Sequence, residues 1–189
     1  MDWHGIAGIV SSVLALATLV PYLTSTVWGT TRPSIISQSL WRIFALLAAL
    51  GQYAADGLSW SMAVALTTAF NNIIIVSVCL FGFGYKGHTK FDILSGACAL
   101  FGIILWYITK SPEYALFCAI IANVCAGIPT YHKTFLHPKT ENAAAWILTF
   151  AAGFFSLIAA SPISLVTLAF PLFTIFEAAL VVSLIVRKH

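Results

Sequence analysis

Leu19-Val20-Pro21-Tyr22 and, 108 residues further on, Gly127-Ile128-Pro129-Thr130 each set a proline near the end of a long apolar run. Each is followed by a short polar loop and then a helical pattern that opens on a tryptophan, Trp41 or Trp146. The loops are alike too, with Thr31-Arg32-Pro33-Ser34 before Trp41 and Pro138-Lys139-Thr140-Glu141 before Trp146. A slide of 100 residues lays Leu66-Thr67-Thr68-Ala69-Phe70 on Val166-Thr167-Leu168-Ala169-Phe170. Each match is weak alone, but together they occur in order. They make the chain three helices, a connector and the same three helices again.

Working outward, the composition sets the solvent. Hydrophobic residues make up 60% of the 189 and charged residues 8%, and the charges fall almost wholly between apolar runs. That excludes a water-soluble globule. A helical span of a bilayer needs about 17–25 mostly apolar residues, and continuous apolar runs rather than alternating ones indicate helices. Spans are expected at Ile6 to Trp28, Ile36 to Tyr53, Leu58 to Gly84, Ile93 to Ile108, Tyr114 to Tyr131, Ala143 to Ala160 and Ile163 to Val186. The expectation is an all-α membrane protein of seven transmembrane helices. Residues 1–86 form a first triple-helix bundle, 87–111 a linker helix and 112–189 a second bundle. The connecting loops are too short for a soluble domain, so function must sit in the bundle.

Lysine and arginine near span ends favour the cytoplasmic side. With seven spans and the N-terminus outside, Arg32, Lys86, Lys90, Lys133, Lys139, Arg187 and Lys188 fall inside and Lys110 alone falls outside. The expected topology is therefore N-terminus out and C-terminus cytoplasmic, in a plasma or inner membrane. Only Asp2 and His4 flank the first span on its N-terminal side, so it is expected to be kept as a helix rather than removed as a signal. Cys79, Cys98, Cys118 and Cys125 all lie in apolar spans, as small packing residues do. The net charge of +3 reflects basic inner loops and gives no reason to expect nucleic acid. No cofactor and no metal site is expected.

The stretch Ser34-Ile35-Ile36-Ser37-Gln38-Ser39-Leu40-Trp41 resembles the opening of the second helix in the SWEET and PQ-loop superfamily of small-solute transporters, and Lys139-Thr140 is similar to the corresponding site of the second repeat. Pro21 and Pro129 match the family's kinking prolines in the first helix of each triplet. The resemblance covers essentially the whole chain in the order triplet, linker, triplet, the parallel-repeat plan of transporters. Neither proline is followed by the glutamine of a PQ dipeptide. Trp41 and Trp146 stand where many members carry a second pair of prolines. The resemblance implies alternating access through a central site, and a monomer as the complete unit, with homo-oligomers also compatible.

Intramembrane proline weakens a helix locally, so Pro21, Pro129 and Pro171 are candidate hinges, with a static kink as the other reading. Trp41 and Trp146 are candidate gate residues on the inner side, or else members of the aromatic belt. Polar side chains at mid-membrane usually face a cavity or another helix. Asn71 and Asn72 in the third span and Asn123 in the fifth are the candidates for solute binding, since an amide donates and accepts at once. The resemblance implies that Asn71 or Asn72 corresponds to the family's sugar-binding asparagine. The two point about 100° apart on a helix, so only one is expected to face the cavity. Gln52, with Tyr53 and Asp56 close by, is a candidate for the outer mouth.

Glu177 is the sharpest single residue. It lies ten positions before Arg187, roughly 15 Å from the end of its span and near the bilayer centre. A carboxyl there is costly to charge and is a candidate proton-coupling and solute-binding group, with a neutral structural carboxyl as the bland reading. Spacing from Pro129 sets Glu177 beside the position of the second-triplet asparagine, whereas the 100-residue slide sets Pro171 there. Arg42 is near the inner end of its span and is expected to snorkel.

The expected function is transport of a small polar solute, whether sugar, amino acid or organic acid, across the bilayer, with protons as a candidate co-substrate. The alternative is a non-transporting receptor resembling the KDEL receptors, which would need basic residues in the cavity. An enzyme is not expected, because the spans hold no paired catalytic aspartates, Ser/His pair or metal-ligand cluster.

Overall fold

A computed structural model describes residues 2–33, 35–84 and 90–187. Ser34, Lys86, His88, Lys188 and His189, and with them the expected boundary at 86/87, lie outside the described residues. The helices are α1 (Trp3–Ala17), α2 (Leu19–Val27), α3 (Ile35–Asp56), α4 (Met62–Val78), α5 (Lys90–Thr109), α6 (Pro112–Leu136), α7 (Ala143–Ile158) and α8 (Leu165–Val186). No strand occurs among the described residues. Every expected span falls on a helix, and α1 with α2 makes up the first. Among the described residues, three stretches are long and apolar enough to cross a membrane: Trp3–Val27, Met62–Phe83 and Leu165–Val186.

Helix ends follow from local chemistry. Asp2 accepts from the Gly5 amide at 2.8 Å and caps α1. Asn142 caps α7 through the Ala145 amide at 3.1 Å, and Ser164 and Thr167 form a capping box at the start of α8. Beyond α4, Cys79–Phe83 is a π-helical turn, and it is kinked inside at Gly82, whose φ of 105 is a backbone region open to glycine.

Packing rests on small residues. Helices in lipid gain little from hydrophobicity and must approach closely to gain dispersion. The buried face of α1 is Gly5, Ala7, Gly8, Ser11 and Ala15. A Cβ at Gly8 would sit 2.9 Å from the Trp60 Cβ, so only glycine lets that ring lie against the helix. Ala45, Ala48 and Ala49 of α3 and Ala119, Ala122 and Ala126 of α6 play the same part. The four cysteines are free thiols.

The distribution of polarity is inside out. Val20, Phe81, Leu165 and Phe176 are exposed, whereas Ser11, Gln38, Gln52, Asn71, Asn72, Asn123 and Glu141 are buried. The bare outer faces suit lipid contact, and Trp3, Trp28 and Trp60 lie exposed near helix ends.

The pattern of helix contacts has its own regularity. α4 packs on α3 and α1, and α8 packs in the same way on α7 and α6. Across the middle, α1 packs on α7 and α3 on α6. α5 packs mainly on α6 and more lightly on α3. Hydrogen bonds fasten both ends of this arrangement. At one end Ser164 Oγ donates to Asp56 Oδ2 at 2.5 Å, Ser156 Oγ to the Ser61 carbonyl at 3.2 Å and Ser11 Oγ to the Ala152 carbonyl at 2.7 Å. At the other, Asn142 Nδ2 donates to the Pro21 carbonyl at 3.0 Å and Lys133 pairs with Glu141 at 2.6 Å.

Candidate functional site

The loosening near Pro21 is where the site begins. Proline at 21 deprives the Ala17 carbonyl of its helical donor, and the α-helical bonding is interrupted at Thr18, between α1 and α2, although Thr18 keeps helical dihedrals of φ −60 and ψ −29. Side chains occupy the gap. Thr18 Oγ1 donates to the Ala15 carbonyl at 2.7 Å, and Asn71 Nδ2 donates to the same carbonyl at 2.7 Å and lies 3.3 Å from Thr18 Oγ1. At Pro129 the outcome differs, because α6 runs unbroken from Pro112 to Leu136 with the proline inside it. α8 likewise runs through Pro171. Of the three candidate hinges, only Pro21 lies beside an interruption.

Below that break is a cavity of about 110 Å³, with room for several water molecules or a small solute. Every helix except α5 contributes to its lining among the described residues. Asn71, Asn72, Asn123, Glu177, Trp41 and Trp146 all face it. The expectation that one of Asn71 and Asn72 would turn away does not hold, because the cavity wraps far enough round α4 to meet both. Asn71 Oδ1 and Asn72 Nδ2 are buried without a hydrogen-bond partner. Gln52 lies elsewhere. It is fully buried and its Oε1 accepts from Ser61 Oγ at 3.0 Å, a tie between the end of α3 and the start of α4. Pro171 is buried within α8 and does not face the cavity, so of the two alternatives for that position it is Glu177 that does.

The far wall is an aromatic and carboxylate cluster. Trp41 and Trp146 meet edge to face with ring centroids 6.4 Å apart. Trp41 Nε1 donates to the Asn123 carbonyl at 3.4 Å, and Trp146 Nε1 donates to Glu141 Oε2 at 3.1 Å. Glu141 is in turn held by Lys133. Tyr131 Oη donates to Glu177 Oε1 at 2.6 Å. Gly127, one turn before Tyr131, makes this reach possible, since a Cβ there would meet the Tyr131 hydroxyl.

Several of these residues had no signal in the sequence reading. Tyr22 and Gln38 line the cavity and are joined by a bond from Gln38 Nε2 to Tyr22 Oη at 3.2 Å. Thr18, Thr68, Thr149 and Thr174 also line it, and Tyr131 stands behind Glu177. Gln38 lay inside the quoted helix opening, and Thr174 sits one turn from Glu177, so nearness to a motif was the available clue.

Asn71→Leu is expected to destabilise the chain by roughly 0.6–2 kcal/mol, the range for one interhelical hydrogen bond in a membrane. Asn72→Leu, which breaks no bond of Nδ2, is expected to cost less. Graded detergent denaturation of both variants checks the order. Among the described residues no group of three or more His, Cys, Asp or Glu side chains could hold a metal ion. No family model, curated protein or solved structure matches the chain.

Proposed function

We propose that the chain is an integral membrane transporter of a small polar solute, working by alternating access in the plasma or inner membrane. The observation that carries this reading is the cavity inside the bundle, walled by polar side chains from both halves of the chain: Asn71 and Asn72 from one, Asn123 and Glu177 from the other. The contact pattern supports a repeat of three helices, a linker and three helices. α1/α2, α3 and α4 stand to one another as α6, α7 and α8 do, and the first helix of each set packs on the middle helix of the other. α5 is the linker, and none of its described side chains lines the cavity. A N-terminus outside and a cytoplasmic C-terminus then bring Arg32, Lys90, Lys133, Lys139 and Arg187 to the inner side.

On this reading Trp41, Trp146 and the Lys133–Glu141 pair close the inner end. The break at Thr18 is the point where the first helix can bend. The receptor alternative needs basic side chains in the cavity, and the described lining has none.

The test is uptake of labelled sugars, amino acids and carboxylates into proteoliposomes, with and without a pH gradient, for wild type and Glu177→Gln. Saturable uptake of a solute by wild type is the expected result, with gradient-driven accumulation lost in the variant. If sealed vesicles bearing folded protein move no solute, the transporter reading falls.

A further inference from the structure

The cavity holds an acid without a base. Apart from the phenol of Tyr22, Glu177 is the ionisable side chain among those described as lining it. α6 presents Tyr131, which donates to Glu177, and carries Lys133, which is committed to Glu141 at 2.6 Å. The residues leading into α7 present Glu141, held by Lys133 and by Trp146 Nε1. α3 offers Gln38 and Trp41, and α4 offers Asn71 and Asn72, all uncharged. Arg42 of α3 is half-buried and Arg187, beyond α8, lies over the Phe135 ring at 3.7 Å. Neither forms an ion pair with Glu177 among the described residues.

Glu177 is half-buried within the bundle and meets no partner cation, so leaving it charged is costly and the site has two neutral states. In one the carboxyl holds a proton, and in the other a cation lies against it. The rest of the wall favours a cation over other solutes. Both indole N–H groups are already engaged, Trp41 on Asn123 and Trp146 on Glu141. What the rings have left for a ligand is their π surface, which attracts ammonium groups. Of the partnerless buried atoms facing the cavity, Asn71 Oδ1 and Gln38 Oε1 are acceptors and Asn72 Nδ2 is a donor. The Tyr22 hydroxyl, which accepts from Gln38, still has its own hydrogen to give, so these groups offer donors and acceptors alike and it is the Glu177 carboxylate that favours a donating cation. An organic anion would meet Glu177 with no base to receive it.

We infer that the cavity takes a small organic ammonium ion that displaces a proton from Glu177, so that solute and proton occupy the site in turn and cross the bilayer in opposite directions. This rests on the transporter reading and narrows it. A carrier whose one carboxyl is neutralised either by the proton or by the solute returns empty only when protonated, which makes the exchange obligatory.

The test uses the full chain in detergent, with choline and n-butylammonium as probes and glucose and succinate as controls. Binding is followed in weakly buffered solution with a pH indicator. Where the carboxyl is protonated before binding, wild type is expected to release about one proton per ammonium bound. Its affinity is expected to weaken about tenfold for each unit of further acidification. Glu177→Gln is expected to release none. Tyr131→Phe keeps the carboxyl, serves as a second variant should Glu177→Gln misfold, and is expected to keep the proton release. In proteoliposomes, external choline is expected to drive protons out of the lumen.

Ammonium binding without proton release overturns the exchange. No ammonium binding while labelled glucose still equilibrates across vesicles overturns this inference and leaves the transporter reading standing. No binding and no movement of any solute overturns both.

Discussion

Trp146→Ala is expected to cost the folded chain about 3–5 kcal/mol, the range for removing a large buried aromatic side chain. The indole is 7% exposed, packs on Ala178 and Val181 of α8, and stands edge to face against Trp41. Alanine leaves a hole that α3, α7 and α8 cannot all close on, and leaves Glu141 Oε2 without its indole donor. Trp146→Phe keeps a ring against Trp41 and loses the hydrogen bond, so its cost is expected to be less than half as large. Graded detergent denaturation of the two variants side by side is the measurement. Equal losses would mean that the missing hydrogen bond, and not the ring, holds this end together.

Lys133→Met is expected to cost about 3 kcal/mol, because it strands a buried carboxylate. The Glu141 side chain is 1% exposed and that of Lys133 30%, so the pair sits at the rim and the loss falls at the low end of the range for breaking a buried ion pair. The double variant Lys133→Met/Glu141→Gln is expected to recover most of the stability, since a glutamine oxygen can still accept from Trp146 Nε1 while carrying no charge. If single and double variants melt alike, the charge pair contributes little and Lys133 acts through its stem. Coupling between this pair and Trp146 is expected as well, because all three share Glu141.

Much of the helical layout was legible because it depends on composition over long windows. An apolar run of some twenty residues has few alternatives in a bilayer, and the expected spans fall on helices. Asn71, Asn123 and Glu177 were legible for the same reason, since a polar group amid apolar ones has to point inward. What was not legible depends on which distant atom fills a local vacancy. The proline at 21 is visible, but the bond that Asn71, 53 residues away, makes to Thr18 at the interruption is not. The matching proline at 129 produces no break, although the local sequences are alike. Gln52 has the same inward-facing signature as Asn71, yet Ser61 claims it at the α3–α4 junction. Tyr131 was read only as the end of a span, because its partner Glu177 stands 46 residues further on. Which helices meet between the two sets, α1 on α7 and α3 on α6, had no local signal either.

The packing of α1 on α7 sets an order of events at the ribosome. The Ser11 hydroxyl finds its acceptor, the Ala152 carbonyl, 141 residues later in the chain, and His4 meets the Ile158 carbonyl 154 residues later. At about 5–20 residues per second, α1 therefore waits about 7–30 s for α7 to be made. During that interval its glycine and serine face has only α4 to lean on. Although made well before α7, α1 is among the last of these helices to be fully enclosed, and a chain that stalls before α7 leaves that face open to any passing helix.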